Sequence, residues 1–274
     1  MEELNIRAVI FSLGDFKWGV KMNGNSNVSN RYECIILNNY PHTMRTTAQQ
    51  ISVILPAYNE EIPIGSMVHL TRLYADKVIV VDDGSSDRTA EVAKRAGAEV
   101  IIHDVNKGKG RALKTGFETA LVLGADIIVT MDSDGQHNPA EIPKLIAPII
   151  QGEAEMVNGS RYLNGPEKNT PAYRRIGQTI LDKFTNIHSG LKITDSQSGF
   201  RAFAASTTEK FRFNAQGMAI ESEMLADAGN AGLRVKEVGI GVRYDVDGST
   251  KRPISHGLEV LLAILKDMIF KRSV

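Results

Sequence analysis

The chain has 274 residues, 42% of them hydrophobic, and 32 Lys and Arg balance 32 Asp and Glu. That length and composition suit one large domain or two small ones with a sizeable core, and zero formal net charge gives no global field to attract nucleic acid. The single cysteine, Cys34, excludes an intramolecular disulfide and fits a reducing cytosol. No apolar run reaches the ~20 residues of a membrane span, and Glu2 and Glu3 stand where a signal peptide needs basic residues.

Residues 1–49 are rich in Asn, lack clear periodicity and contain two internal methionines, Met22 and Met44, that could each be a start. They read as an N-terminal extension, poorly ordered on its own. From Ile51 the pattern becomes regular. Ile51–Leu55 is an apolar strand stopped by Pro56, and Ile62–Tyr74 has helical spacing. Val78–Val81 is a second strand, ended by Asp82-Asp83-Gly84-Ser85. Ser86 or Asp87 can cap a helix that ends at Gly97. Glu99–His103 is a third strand, Gly110–Leu123 a helix, Asp126–Met131 a fourth strand, and Pro139–Ile150 a helix with Pro at a favoured early position. Strand and helix alternate four times, and the β-branched runs show no in–out alternation. The pattern predicts a doubly wound α/β domain, a mostly parallel sheet with helices on both faces, over residues 50–252. Further on, Glu221 and Glu223 in Ala219-Ile-Glu-Ser-Glu-Met-Leu225 read as the polar face of an amphipathic helix.

Ligands of such sheets bind beyond the carboxyl ends of the strands. Three polar clusters fall at that edge: Pro56-Ala57-Tyr58-Asn59-Glu60, Asp82-Asp83, and Asp132-Ser133-Asp134-Gly135-Gln136-His137. Asp132 and Asp134, one residue apart at the mouth of a buried strand, suit a hard divalent cation. Mg²⁺ and Mn²⁺ take oxygen ligands, usually one or two carboxylates plus substrate phosphates. His137 reads as a turn residue beside the metal, and His103, His188 and His256 show no metal-ligand spacing. Neither phosphate-binding glycine motif is present. No G-x-x-x-x-G-K-[ST] string occurs, and Gly108-Lys109-Gly110 is followed by Arg111-Ala112-Leu113 rather than by the rest of G-x-G-x-x-G. A nucleotide must then be held by contacts to its base and ribose and by metal on its diphosphate.

Six motifs in order carry a resemblance to a known family. Pro56–Glu60, Val81-Asp82-Asp83-Gly84-Ser85-Ser86-Asp87, Gly108-Lys109-Gly110, Asp132–His137, Gly159-Ser160-Arg161 and Asp195-Ser-Gln-Ser-Gly-Phe-Arg201 resemble the inverting family 2 glycosyltransferases of the GT-A fold. The last two are similar to the branch that transfers sugars to polyprenyl or dolichyl phosphate. The resemblance covers about residues 50–252. It implies that Pro56, Tyr58 and Glu60 line the base pocket, that Asp83 contacts base or ribose, and that Lys109 belongs to the donor-binding set. It implies a Mg²⁺ or Mn²⁺ bridged to the donor diphosphate by Asp132 and Asp134, with the amide oxygen of Gln136 completing the set. Arg161 and one of Arg174 or Arg175 are expected at the acceptor phosphate. Asp195 is expected to orient acceptor or sugar, with Arg201 in the same motif. Arg243, Ser249 and Lys251 match a loop that closes over phosphates, although Thr250 separates Ser249 from Lys251 where the family has Ser directly before Lys.

The implied activity is transfer of a sugar from a nucleotide-sugar donor to a lipid phosphate with inversion, feeding glycan assembly. UDP-N-acetylglucosamine or UDP-glucose is the favoured donor, with GDP-mannose or a polysaccharide acceptor as the alternatives. A lipid acceptor asks for contact with a membrane surface. From Ile254, apolar residues recur at Leu258, Leu261, Leu262, Leu265, Met268 and Ile269, flanked by Lys251, Arg252, Lys271 and Arg272. Residues 253–274 therefore read as an interfacial amphipathic helix on the cytoplasmic face, or as a helix packed on the domain or on a second copy in a homodimer.

Overall fold

The computed structural model describes residues 8–13, 16–21, 34–36, 49–163, 172–215, 217, 219–241 and 260–267. The chain divides into two units, 1–48 and 49–274. In the first, β1 (Ala8–Leu13), β2 (Phe16–Lys21) and β3 (Cys34–Ile36) form an antiparallel sheet in that order. Leu13 pairs with Phe16 at the tight end, and Trp18 lies opposite Ile36.

The second unit is built on β4 (Ile51–Ala57), α1 (Ile64–Thr71), β5 (Lys77–Asp82), α2 (Thr89–Arg95), β6 (Glu99–Ile102), α3 (Lys109–Val122), β7 (Ile127–Thr130), α4 (Ile142–Ile150), β8 (Met156–Ser160), α5 (Ala172–Ser189), β9 (Arg201–Ala204), α6 (Ala219–Asn230) and β10 (Val235–Gly239). Its seven strands stand in the order β10-β8-β9-β7-β4-β5-β6. All neighbours are parallel except β9, which runs antiparallel to both β7 and β8. The expected GT-A-type sheet is present, with one reversed strand, β9, third from the β10 edge.

The missing in–out alternation has a direct cause: both faces of the sheet are covered. Val53, Leu55, Val78, Val80, Ile127 and Val129 point to one side, where they meet α1, α2 and α4. Ile54, Ile79, Val81 and Ile128 point to the other, against Phe117 of α3 and Ile220, Met224 and Leu225 of α6. Successive strand residues face opposite ways, so two cores demand apolar residues at every position. On the second side Phe117, Phe203, Phe211 and Phe213 stack with ring centroids 5.0–6.3 Å apart.

Residues 260–267 are helical and turn Val260 and Ile264 onto Leu181 of α5. Asp267 closes the contact, accepting hydrogen bonds from His188 at 2.9 Å and from Arg212 at 3.0–3.1 Å. Part of the expected C-terminal amphipathic helix thus packs on the domain. Leu262 remains 58% exposed on its other side. Ile254, Leu258, Met268, Ile269 and the basic flanks lie outside the described residues. Among the described residues, no helix is long and apolar enough to cross a membrane.

Candidate active site

The topology brings five segments to one rim. The carboxyl ends of β4, β5 and β7 present Pro56–Glu60, Asp82–Asp83 and Asp132–Gln136. β8 is parallel to these strands, so Arg161 just beyond its end lies at the same rim. β9 is reversed, so its first residue, Arg201, and the preceding turn from Asp195 arrive there as well. Pairing of Thr130 with Arg201, and of Asn158 with Arg201, fixes this register.

Side-chain ties set the loops. Ser133 Oγ donates to the Pro56 carbonyl at 2.8 Å. Asn59, in the left-handed region at φ 57, donates its N–H to Ser85 Oγ and accepts the Ser86 N–H. Thr89 Oγ1 takes the Glu60 N–H at 2.8 Å. The loops after β4 and β5 are therefore tied to one another. Tyr58 projects 49% exposed beside them, an apolar face open to a ligand.

Asp83 differs from its expected place as a contact for base or ribose. Its carboxylate is buried, 2.6 Å from His103 Nδ1, and accepts the N–H groups of Lys107 and Gly108 at 2.9 and 2.7 Å. These contacts hold the loop that delivers Lys109 to the start of α3. Gly84, at φ 75, makes that crossing feasible, because a Cβ there would lie 2.6 Å from the Val105 carbonyl carbon.

Carboxylates crowd the β7 end. Asp134 accepts the Gln136 N–H, and burial and Asp132 raise it above the usual carboxylate range. Glu60 is pushed up to about 7 by burial, Asp134, Asp132 and Asp87. Burial also acts to raise Asp132, but Lys109 and His137 outweigh it and hold Asp132 well below the usual range. Lys109 Nζ is 2.6 Å from Asp132 Oδ1 and 2.6 Å from Glu221 Oε1. Gly199 gives Asp132 its space: a Cβ there would come within 2.5 Å of Oδ2. Two rim carboxylates with mutual repulsion and a neighbouring amide suit a hard cation, so the donor set fits Mg²⁺ or Mn²⁺. Among the described residues no three His, Cys, Asp or Glu side chains converge into a metal cage; a cation here would complete its shell from Gln136, water or phosphate oxygens.

On the β8–β9 side the charges are already answered. Asp195 is fully buried and grips Arg161 bidentately, with Nε at 2.6 Å and Nη2 at 2.7 Å, while also accepting the Arg161 N–H. Asp195 therefore aims Arg161 rather than facing a ligand itself. Arg201 is buried too. It donates to Asn158 Oδ1, the Glu221 carbonyl and the Ser196 carbonyl, and burial lowers it to about 10 despite Glu221, Asp195 and Asp132 nearby. Its place is that of a support between β8, α6 and the Asp195 turn. Arg174 and Arg175 occupy the first turn of α5, and their side chains lie outside those described. Arg243, Ser249 and Lys251 also lie outside the described residues.

Glu221 and Glu223 correct the expectation of a solvated polar face. α6 is buried from Ala219 to Ala228. Glu221 partners Lys109, and Glu223 accepts the Asn214 and Ala215 N–H groups at 2.8 and 2.7 Å. A signal existed in the sequence: Ile220, Met224, Leu225, Ala226 and Ala228 wrap most of the helix circumference and leave little room for a wet face.

Residues 52–211 match the model of the family described as "Glycosyl transferase family 2". The chain is 38% identical over 233 residues to a UDP-N-acetylglucosamine–dolichyl-phosphate N-acetylglucosaminyltransferase of Methanococcus voltae, covering 77% of this chain and 91% of that one. It is 33% identical over 215 residues to a polyprenol monophosphomannose synthase of Mycolicibacterium smegmatis, covering 73% and 79%. Among solved structures, glucosyl-3-phosphoglycerate synthase from Mycobacterium tuberculosis, in complex with Mn²⁺, uridine diphosphate and glucosyl-3-phosphoglycerate, superposes with a TM-score of 0.62. Identity is 27%, over 80% of this chain and 79% of that chain. The same enzyme is also known in complex with Mg²⁺ and uridine diphosphate.

Proposed function

Because the chain belongs to glycosyl transferase family 2, and is therefore a glycosyltransferase, we propose that it moves a sugar from a nucleotide diphosphate donor onto a polyprenyl or dolichyl phosphate. Relatives named for polyprenyl-phosphate sugar transfer support the acceptor class. The observation that carries the reading is the pairing of two unlike halves on one rim: the Asp132–Asp134 carboxylates beyond β7, and an Arg161 guanidinium aimed by buried Asp195 beyond β8.

Tyr58, Pro56 and Glu60 form the wall against which the base stacks. Asp132 and Asp134, with Gln136, would hold a divalent cation, which when bound would supply neutralisation of the diphosphate leaving group. Asp83 supports this arrangement from behind by fixing Lys107 and Gly108. The acceptor oxygen forms its bond to the anomeric carbon as the bond from that carbon to the diphosphate oxygen breaks, releasing the nucleoside diphosphate. In-line displacement inverts the anomeric centre. A phosphate monoester has a second pKa of about 6 and is largely dianionic at pH 7, so the acceptor needs little base assistance. The harder task is to bring two anions together, and Arg161 serves it because a guanidinium stays charged and binds phosphate bidentately. Arg174 or Arg175, and Arg243, Ser249 and Lys251, are assigned to the same phosphates.

The favoured donor is UDP-N-acetylglucosamine or UDP-glucose. The Methanococcus voltae relative supports the first, and the mycobacterial mannose synthase relative keeps GDP-mannose as the second reading. The enzyme works as a peripheral protein on the cytoplasmic face of the membrane. A panel of radiolabelled nucleotide sugars, incubated with polyprenyl phosphate with and without chelator, tests the whole reading. Labelled lipid from one uridine donor, abolished by chelation and restored by Mn²⁺, is expected. Label only in polysaccharide, or none with any donor, rejects it.

A further inference from the structure

The ammonium of Lys109 stands between two unlike carboxylates. Asp132 and Glu221 each lie 2.6 Å away, but the Asp132 side chain is 31% exposed at the rim while that of Glu221 is 3% exposed. Lys109 is also the first residue of α3. A cation at a helix N-terminus is disfavoured by the helix dipole, so these two carboxylates are what keep it there. Glu221 in turn is a buried charge that needs a partner, and its second oxygen, Oε2, is buried with no hydrogen-bond donor. Lys109 therefore uses one oxygen of each carboxylate, and Glu221 holds another in reserve.

Asp132 is also one of the residues that would hold the divalent cation. A cation drawn to this carboxylate meets an ammonium already in contact with one of its oxygens. Gly199 and His137 border Oδ2, so there is little freedom to turn the carboxylate away. Building on the metal-dependent reading above, we propose that Lys109 is a built-in competitor of the divalent cation for Asp132, and that Glu221 receives its ammonium when the cation binds. Oε2 supplies the contact that Asp132 gives up. Glu221 is thus a positioning residue for Lys109, and it couples the metal site to α6. The handover also leaves Lys109 tethered beside the donor diphosphate rather than released to solvent.

The test measures Mn²⁺ binding to the full chain by the loss of the free Mn²⁺ electron paramagnetic resonance signal, without donor or acceptor. Lys109→Met is expected to tighten Mn²⁺ binding by about tenfold, since a positive charge in contact with a ligand is removed. Lys114→Met, close in sequence but paired with Glu118, is expected to leave it unchanged. Glu221→Gln should weaken Mn²⁺ binding in the wild-type background, because Lys109 then has only Asp132, and should have no effect in the Lys109→Met background. Lys109→Arg, which keeps the charge and can grip Asp132 bidentately, should bind Mn²⁺ no more tightly than wild type, and it guards against a folding defect in the methionine variant. If wild type binds Mn²⁺ and Lys109→Met binds it equally or more weakly, the competition is overturned while the metal site stands. If neither protein binds Mn²⁺, the metal reading falls and this inference with it.

Discussion

The two halves of the rim solve opposite electrostatic problems. At the ends of β4, β5 and β7, Glu60, Asp132 and Asp134 are gathered with more negative charge than the local cations balance; burial, Asp134 and Asp132 raise Glu60, and burial and Asp132 raise Asp134. Beyond β8 and before β9, buried charges are matched before any ligand arrives: Asp195 by Arg161, and Arg201 by Asn158 and two carbonyls. One half is left incomplete for a ligand to finish. The other is a finished framework that aims a single arginine. Damage to the first should therefore cost activity with little stability, and damage to the second should cost stability as well.

The largest expected effect lies in the incomplete half. Asp134→Ala should lower transfer on the order of 10³-fold or more, the scale of losing charge stabilisation on the leaving group. Its melting temperature should stay near wild type, because a crowded carboxylate is removed rather than a supporting one. Steady-state turnover in metal-buffered assays, set beside a thermal melt, checks both parts. A variant that keeps wild-type turnover would remove Asp134 from the metal site. The framework half should behave in the opposite way. Arg201→Met should destabilise the fold by about 3 to 4 kcal/mol, since it leaves Asn158 and two buried carbonyls without their donor. Urea unfolding followed by circular dichroism measures this. A loss of activity at unchanged stability would instead make Arg201 a ligand contact.

The contrast also explains what could be read in the sequence. The β4–α4 half was legible almost element by element, because its strands carry β-branched residues for two cores and its helices carry one apolar stripe each. Strand ends shifted by only a residue or two, as where β4 continues through Pro56 to Ala57. The motifs Pro56–Glu60, Asp82–Asp83 and Asp132–Gln136 were legible for the same reason, since each follows directly from a strand. In the other half, β8 and β9 contain Asn158, Ser160 and Arg201, polar residues that break an apolar pattern yet are buried in a shared network. Most of their partners lie tens of residues away, and sequence order gives no hint of that pairing. Asp83 and Asp195 teach a related lesson. Their positions beside strand ends were visible, but not that one turns inward to hold a loop and the other to grip Arg161. Glu221 hid in plain view, since Glu-Ser-Glu within a helix reads as solvated until both flanks prove apolar.

A third, smaller effect concerns how the framework half meets a lipid. Ile180, Phe184 and Ile187 follow helical spacing on α5, with Ile180 43% and Ile187 70% exposed, and Leu262 is 58% exposed on the neighbouring helical segment. Phe184 packs on Leu181, Val260 and Ile264, so the membrane contact proposed above would fall on Ile180, Ile187 and Leu262. Replacing Ile187 and Leu262 with Lys should weaken binding to polyprenyl-phosphate vesicles by about 1–2 kcal/mol per residue, read as a shift from pellet to supernatant in flotation. Transfer to a short water-soluble acceptor should persist. Val260 and Ile264, which pack on Leu181, should instead unfold the segment when changed, so equal loss with both acceptors would place the strip in a packed interface.

The smallest expected effect falls on Asp182, where the framework half departs from its own rule. This α5 carboxylate accepts the Ser196 N–H at 2.8 Å and Gln178 Nε2 at 3.0 Å, neutral donors only, and Asp195 stands nearby. Burial, outweighing those hydrogen bonds, and the negative neighbour push it up to about 6. A carboxyl group whose folded pKa lies above its unfolded value contributes stability that is complete below about pH 4 and is lost as pH rises through about 6. Wild type should therefore surrender about 1–2 kcal/mol from this group between those limits. Asp182→Asn keeps the Oδ1 acceptor for Ser196 but carries no titrating proton, so its stability should stay flat over the same window apart from changes common to both proteins. The difference between the two melting curves, taken at pH steps from 4 to 7, isolates the effect from every other carboxylate. Parallel curves would mean that Ser196 and Gln178 compensate the charge fully, and that the framework half is electrostatically closed at α5 as well.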